Sequence, residues 1–344
     1  MRKLFSIFIL CILCACCAVG FAACEKEISS NDNGGNENII HEAPVHIHIY
    51  ENGVCTGCGA LEPTSDEYFK FIYLEETDSY SINVKDKNNL PENIVLPSEY
   101  DGKKITHIGY DIAEITTEEE LLYWGLDENN LTDSNYAFML CKNIQTIIIP
   151  DSVTSIGDGA FYECSNLTSI DIPDSVTSIG KGVFEYCSLL TTETIGNSVK
   201  AIGDSTFYKC SNLTSINIPD NVTIIDLWTF GYCSSLTSVK FGKNSQLTSI
   251  GRDSFCMCSG LTSITIPDNV TSIGLHAFAG CSSLTSVYYN GTVEDWSKIL
   301  IDSGNTDLTN ATLYYYSERE PIEDGNYWHY DSDSITPIIW VKEN

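Results

Sequence analysis

The chain repeats itself, and the period restricts its fold more than any other feature. Phenylalanines fall at 138, 161, 184, 207, 230, 255 and 278, each followed three positions later by a cysteine, from Cys141 to Cys281. Successive steps are 23 residues long except for one of 25, between Phe230 and Phe255, where two extra residues are taken up around Lys243 to Gln246. The segment Asn166–Cys187 recurs with few changes as Asn212–Cys233 and as Gly260–Cys281. A fixed period of this length marks stacked supersecondary units, none of which hides its apolar side alone.

Within one unit, Leu167, Ile170 and Ile172 form a first short alternating segment and Val176 and Ile179 a second. The Pro173-Asp174 turn separates them, and Gly180 follows them. Such alternation predicts strands, and it is broken too often for a long helix. Stacked in parallel at about 4.8 Å per coil, the units predict a sheet over a continuous interior of Leu, Ile, Val and Phe.

The pattern L-x-x-I-x-I-P-x-x-V-x-x-I-G-x-x-x-F-x-x-C resembles the BspA-like leucine-rich repeats of bacterial surface proteins, over about residues 80 to 301. The resemblance implies a leucine-rich-repeat solenoid, mainly parallel short β-strands with turns or short helices. It also implies a binding scaffold, since a few members of the family adhere to or bind host proteins. The regular repeats are expected at 136–301, after a diverged N-terminal repeat and acidic insertion at 63–135. Val95-Leu96-Pro97 with Ile105 to Gly109 is similar to a first repeat with a longer turn. The segments Leu284 to Trp296 and Asn310 to Tyr316 are similar to the family's closing segment, and with Tyr327-Trp328 they predict a C-terminal cap, assigned to 302–344. An uncapped end would leave a strand edge unpaired. One coil departs from the pattern, with Glu193 in place of the first core Ile and Gly196 in place of Pro; it is expected to be irregular, with Glu193 tilted outward because an unpaired buried carboxylate is costly.

The start of the chain speaks of compartment. Residues 1–23 combine a basic Met1-Arg2-Lys3, an apolar run and small residues, as in a secretory signal peptide. Phe21-Ala22-Ala23-Cys24 resembles a bacterial lipobox, which implies lipidation of Cys24 and attachment to the outer face of a bacterial cell membrane. Plain cleavage after Ala23, giving a freely secreted chain, is the alternative. Residues 24–45 are polar and rich in Asn and Gly, and they read as a flexible tether.

Several residue sets are candidates for chemistry. In the segment 46–62, His46 and His48 alternate on one stretch and Cys55 and Cys58 form a Cys-x-x-Cys-Gly turn, similar to a zinc knuckle. A closed four-ligand zinc site here would be structural. A Cys55–Cys58 disulfide, favoured by an oxidising exterior, and an unused thiol pair remain open beside it. The repeat cysteines Cys164, Cys187, Cys210 and Cys233 are expected to form a buried ladder of small side chains, with disulfides or metal binding as the sharper readings. The aspartates of the Pro-Asp turns, Asp151, Asp174, Asp220 and Asp268, read first as turn formers and only then as calcium ligands.

The outward position of the first strand reads, coil by coil, Ile148, Asp171, Thr194, Asn217, Lys240, Thr265 and Tyr288. Flanked by Thr168, Thr214, Thr262 and Thr285, it forms a polar, rigid strip that suits an extracellular protein or glycan ligand. With 18 basic against 47 acidic residues and a formal charge of -29, the chain repels phosphate backbones, so nucleic acid is excluded as a partner. No nucleophile elbow, phosphate-binding loop or metalloprotease helix is present, and the expectation is a non-enzymatic protein without a certain cofactor, one structural zinc aside. The runner-up is a carbohydrate-binding or carbohydrate-active surface protein that uses acidic and aromatic residues of the caps, such as Tyr314, Tyr315, Tyr316, Trp328, Tyr330 and Trp340.

Overall fold

The computed structural model describes residues 50–51, 54–55, 61–109, 137–322, 324–331 and 336–341. The chain divides into two units, Met1–Glu62 and Pro63–Asn344. In the first, strand Tyr50–Glu51 pairs antiparallel with Val54–Cys55, and Val54 bridges to Leu61. The Cys24 lipobox, His46, His48, Cys58 and the acidic insertion from 112 to 135 lie outside the described residues.

The second unit is a β-solenoid whose coils have three sides. The first side carries strands Asn93–Val95, Thr146–Ile148, Ser169–Ile172, Thr192–Ile195, Ser215–Ile218, Ser238–Phe241, Ser263–Ile266, Ser286–Tyr289 and Thr312–Tyr316, nine coils among the described residues. Except between Thr192–Ile195 and Ser215–Ile218, neighbours along the chain pair in parallel with equivalent positions in register: Ile170 faces Ile147 on one side and Glu193 on the other. The second side is a row of two-residue strands such as Ser155–Ile156, Ser178–Ile179 and Ser249–Ile250, again parallel and in register. On the third side, backbone N–H groups reach the next coil's carbonyls without strand geometry: Phe161 to Val183 O, Phe184 to Thr206 O, Phe207 to Thr229 O and Phe230 to Ser254 O, all at 2.8–2.9 Å.

The Phe of each repeat is buried at the centre. From Phe138 to Phe278 the seven rings stack with centroids 5.2–5.5 Å apart and planes within 17° of parallel. They belong to one apolar cluster that runs from Phe69 to Leu308. The cysteine ladder lies beside them, buried. Each thiol donates to the carbonyl of the Phe one coil back: Cys164 to Phe138 O at 3.0 Å, Cys187 to Phe161 O and Cys210 to Phe184 O at 3.1 Å. The series continues through Cys233, Cys258 and Cys281. The repeat therefore keeps a residue small enough for the core that still satisfies a carbonyl. Burial pushes the Cys164 and Cys258 thiols well above their ordinary range.

Two positions per coil take left-handed backbone. The residue two before the Phe does so at Gly159, Gly182, Ser205, Trp228, Asp253 and His276, and the residue two after it at Leu140, Glu163, Tyr186, Lys209, Tyr232, Met257 and Gly280. The Gly that follows most second strands has another cause, although Asp226 takes that position after Ile224–Ile225. A Cβ on Gly203 would sit 2.6 Å from the backbone of Gly180, so the coils approach too closely there for any side chain.

The expected single sheet is in fact interrupted. On the first side one sheet ends at Thr192–Ile195 and a second begins at Ser215–Ile218; on the second side the break falls between Ala201–Ile202 and Ile224–Ile225. Both breaks border the coil in which Glu193 and Gly196 depart from the pattern. The Glu193 side chain, expected to tilt outward, lies outside the described residues. The third-side ladder crosses the break intact, from Ser205 to Leu227 O at 2.9 Å and from Lys209 to Gly231 O at 2.8 Å.

Both ends are closed. At the start, the antiparallel hairpin Phe69–Leu74 and Ser79–Val84 joins the second-side sheet next to Lys103–Ile108. At the end, helices Val293–Trp296 and Thr306–Asn310 flank strand Leu300–Ile301. Asn305 then stands in for a missing coil: its Oδ1 accepts the Phe278 N–H at 2.9 Å and its Nδ2 donates to Gly274 O at 2.9 Å.

Candidate functional site

The predicted strip forms, but only half of it is open. Alternation along each first-side strand puts Ile147, Ile170 and Ile216 inward and Ile148, Asp171 and Asn217 outward. Ile148 is 45% exposed, and Asp171, Thr194 and Asn217 are exposed. The row then closes: Lys240 and Tyr288 are half-buried, and Thr265, expected to face outward, is only 4% exposed.

The cause is the C-terminal segment. Strand Tyr327–Tyr330 pairs with the end of Thr312–Tyr316, and Pro337–Ile339 returns antiparallel to it. The Trp328 indole N–H donates to Tyr289 O at 2.8 Å, and its ring lies 5.7 Å from that of Tyr288, which stacks on Tyr314 at 5.3 Å. Thr336 and Pro337 then line a cleft of about 250 Å³ together with Ser238, Lys240, Thr265 and Tyr288. Burial, followed by Asp268, Tyr316 and Asp220, raises the pKa of the Tyr330 hydroxyl. The capping aromatics thus fold back over the strip, and the open face is the stretch from Ile148 to Asn217.

The flanking threonines have a second task. Thr191 Oγ1 donates to Thr168 O at 3.1 Å, Thr214 to Thr191 O at 3.2 Å, Thr237 to Thr214 O at 3.0 Å and Thr285 to Thr262 O at 3.3 Å. Their hydroxyl protons tie coil to coil, which leaves only acceptor lone pairs toward a ligand.

The other candidates separate. Cys55 is buried at 2% exposure in the first unit, and its three proposed co-ligands lie outside the described residues. Among the described residues no group of three or more His, Cys, Asp or Glu could hold a metal ion. In the turn column, Asp174 accepts the Asn197 N–H of the next coil through Oδ1, a bridge between successive turns. His276 Nδ1 lies 3.7 Å from Asp253 Oδ1, while Arg252 binds the other oxygen at 2.9 Å. Nearby Cys256 has its thiol pKa raised by burial and by Asp253, the opposite of what activates a nucleophile. Asp204 and Asp226 share a side-chain hydrogen bond, and burial followed by Asp226 raises the Asp204 carboxyl. Neither this pair nor His276 lines the 250 Å³ cleft.

One arrangement escapes a reading by period. On the third side, Tyr162, Tyr186, Tyr208, Trp228 and Tyr232 form a row of rings with centroid spacings of 5.6–6.1 Å. The Lys209 ammonium sits 4.6 Å from the Tyr186 ring, 5.1 Å from Tyr208 and 5.8 Å from Tyr232, and donates to the Tyr186 hydroxyl at 3.1 Å. Glu185 occupies the same repeat position as Tyr162 and Tyr208; it is buried, and its Oε2 has no hydrogen-bond partner. Burial raises its carboxyl pKa to about 7, against the pull of Lys209.

The model of the BspA type leucine rich repeat region matches residues 132–247 and 200–315, with six copies. Among solved structures, the chain is similar to the leucine-rich-repeat protein of T. pallidum, with 21% identity over 72% of this chain and 95% of that one and a TM-score of 0.46. It is also similar to a leucine-rich cell surface protein of Faecalibacterium prausnitzii, with 19% identity over 71% and 99% of the two chains and a TM-score of 0.43. A third, from Bacteroides ovatus, shares 23% identity over 72% and 70%, with a TM-score of 0.36. No curated protein matches the chain. No helix among the described residues is long and apolar enough to cross a membrane. With the repeat model matched from residue 132 to 315, over half its length, the chain belongs to the BspA-type leucine-rich-repeat family.

Proposed function

We propose that this protein is a non-enzymatic scaffold on the bacterial cell surface, anchored by a lipid on Cys24, that offers its open first-side face to an extracellular protein or glycan. One observation carries the reading: Ile148, Asp171, Thr194 and Asn217 stand exposed on four successive coils whose Ile147, Ile170, Ile195 and Ile216 are buried in one continuous core. A face held by such a core loses little conformational entropy on binding. The raised Cys256 thiol and the covered C-terminal half of the strip favour display over chemistry. The resemblance of the N-terminus to a lipoprotein signal and the surface description of the Faecalibacterium prausnitzii protein support the location.

The test is a screen of the full chain against matrix proteins and glycans, repeated with the double variant Asp171→Ala and Asn217→Ala. Binding weakened tenfold or more by the variant supports the reading; a hit that the variant leaves unchanged moves the site elsewhere. A structural zinc on His46, His48, Cys55 and Cys58 is a separate proposal. It predicts about one zinc per chain, lost in Cys58→Ser, and metal-free protein with unaltered stability would refute it.

A further inference from the structure

The ring row on the third side is not a by-product of the repeat. Trp228 takes left-handed backbone, with φ 56°, at the position where Gly159 and Gly182 stand in earlier coils. That position is left-handed in every coil from Gly159 to His276, Ser205 and Asp253 included, so what sets Trp228 apart is its ring and not its backbone. Room has also been made for it. Gly231 occupies the position of Tyr162, Glu185 and Tyr208, and a Cβ on it would lie 2.6 Å from the Trp228 ring and 3.1 Å from Tyr208. Two departures from the coil pattern, one adding a ring and one removing a side chain beneath it, thus combine to seat a single indole. The adjoining rings come from left-handed positions as well, Tyr186 with φ 63° and Tyr232 with φ 62°.

The rows of rings run along the stack, one or two per coil over four coils, a length of about 15 Å. Tyr162, Tyr186, Tyr208 and Trp228 are half-buried and meet edge to face, Trp228 stacks on Tyr232 with planes 26° apart, and Tyr232 is 38% exposed. The chemistry of the occupant follows from charge and shape. A chain with a formal charge of -29 repels polyanions, and the one ammonium in the row, Lys209, already lies against three tyrosine rings. A row one ring wide is too narrow for a globular partner, whose stable interface covers about 800 Å² per side. A linear, uncharged chain with alternating apolar faces and hydroxyl edges fits: the faces stack on rings, and the edges meet the phenol hydroxyls.

We propose that Tyr186, Tyr208, Trp228 and Tyr232 form a binding platform for a neutral polysaccharide, distinct from the first-side face. The platform is preformed, because Lys209 and the packed rings hold it without ligand.

The experiment is electrophoresis of the full chain through native gels containing glucan, mannan, galactan or xylan, with hyaluronan as the anionic control. The proposal expects retardation by at least one neutral polymer and none by hyaluronan. Trp228→Gly restores the residue that two other coils use, and Tyr232→Ala removes the most exposed ring; each should weaken retardation at least tenfold. The pair Asp171→Ala and Asn217→Ala, on the other face, should leave it unchanged, which separates failure here from failure of the first-side reading. No retardation in any neutral gel, retardation by hyaluronan alone, or retardation that survives both ring variants would overturn it.

Discussion

Glu185 is a buried carboxyl at the position that Tyr162 and Tyr208 hold in the adjacent coils, and its pKa, raised to about 7 mainly by burial, makes stability depend on pH. The folded state holds the proton more tightly than the unfolded chain, whose group titrates near 4.5. The contribution is therefore complete below pH 4.5, declines as pH rises toward 7 and is gone above it. The difference amounts to roughly 3 kcal/mol. Denaturant melts from pH 4 to 8 should show Glu185→Gln gaining on the native chain across that window, and parallel pH profiles would contradict this. Asn305 acts at the same scale. Replacing it with Ala leaves the buried Phe278 N–H without an acceptor, at a cost of about 2 kcal/mol in a denaturant melt. A loss below a few tenths would show that the cap does not depend on this side chain.

At the scale of a coil, cohesion differs from side to side. The two strand rows break around residues 192–225, while the third-side ladder and the Phe stack cross the gap. Hydrogen exchange should accordingly find the amides of Ser215–Ile218 exchanging faster than those of Ser238–Phe241, with the Phe184 and Phe207 amides protected in both regions. Uniform protection along the strands would contradict the break. Much of the coil was legible in the sequence because the constraint recurs: each Phe stacks on the Phe of the next coil, and each Cys from Cys164 to Cys281 donates to a Phe carbonyl one coil back. Glu193 and Gly196 marked the irregular coil for the same reason. The ring row was not legible, since its residues come from three different positions of the repeat: Tyr162 and Tyr208 directly after the Phe, Tyr186 and Tyr232 two after it, and Trp228 two before it.

At the scale of the molecule, the open part of the displayed face is set by the end of the chain. Beyond the closing coil the sequence has no period, so nothing in it announced that Thr336 and Pro337 would lie over Lys240 and Thr265. The regular part behaves differently, because stability there is close to a sum over coils and their contacts. If one interior serves all coils, a whole coil is dispensable and a fraction of one is not. Deletion of 166–188 removes one full period and brings Phe161 onto Phe207, with Cys210 reaching Phe161 O where it now reaches Phe184 O. Thermal unfolding of this variant, compared with one lacking only residues 166–176, is the decisive measurement. The account predicts a cooperative transition with a strand spectrum for the full-period deletion and loss of the transition for the partial one. Equal disruption by both deletions would contradict a shared, repeating core.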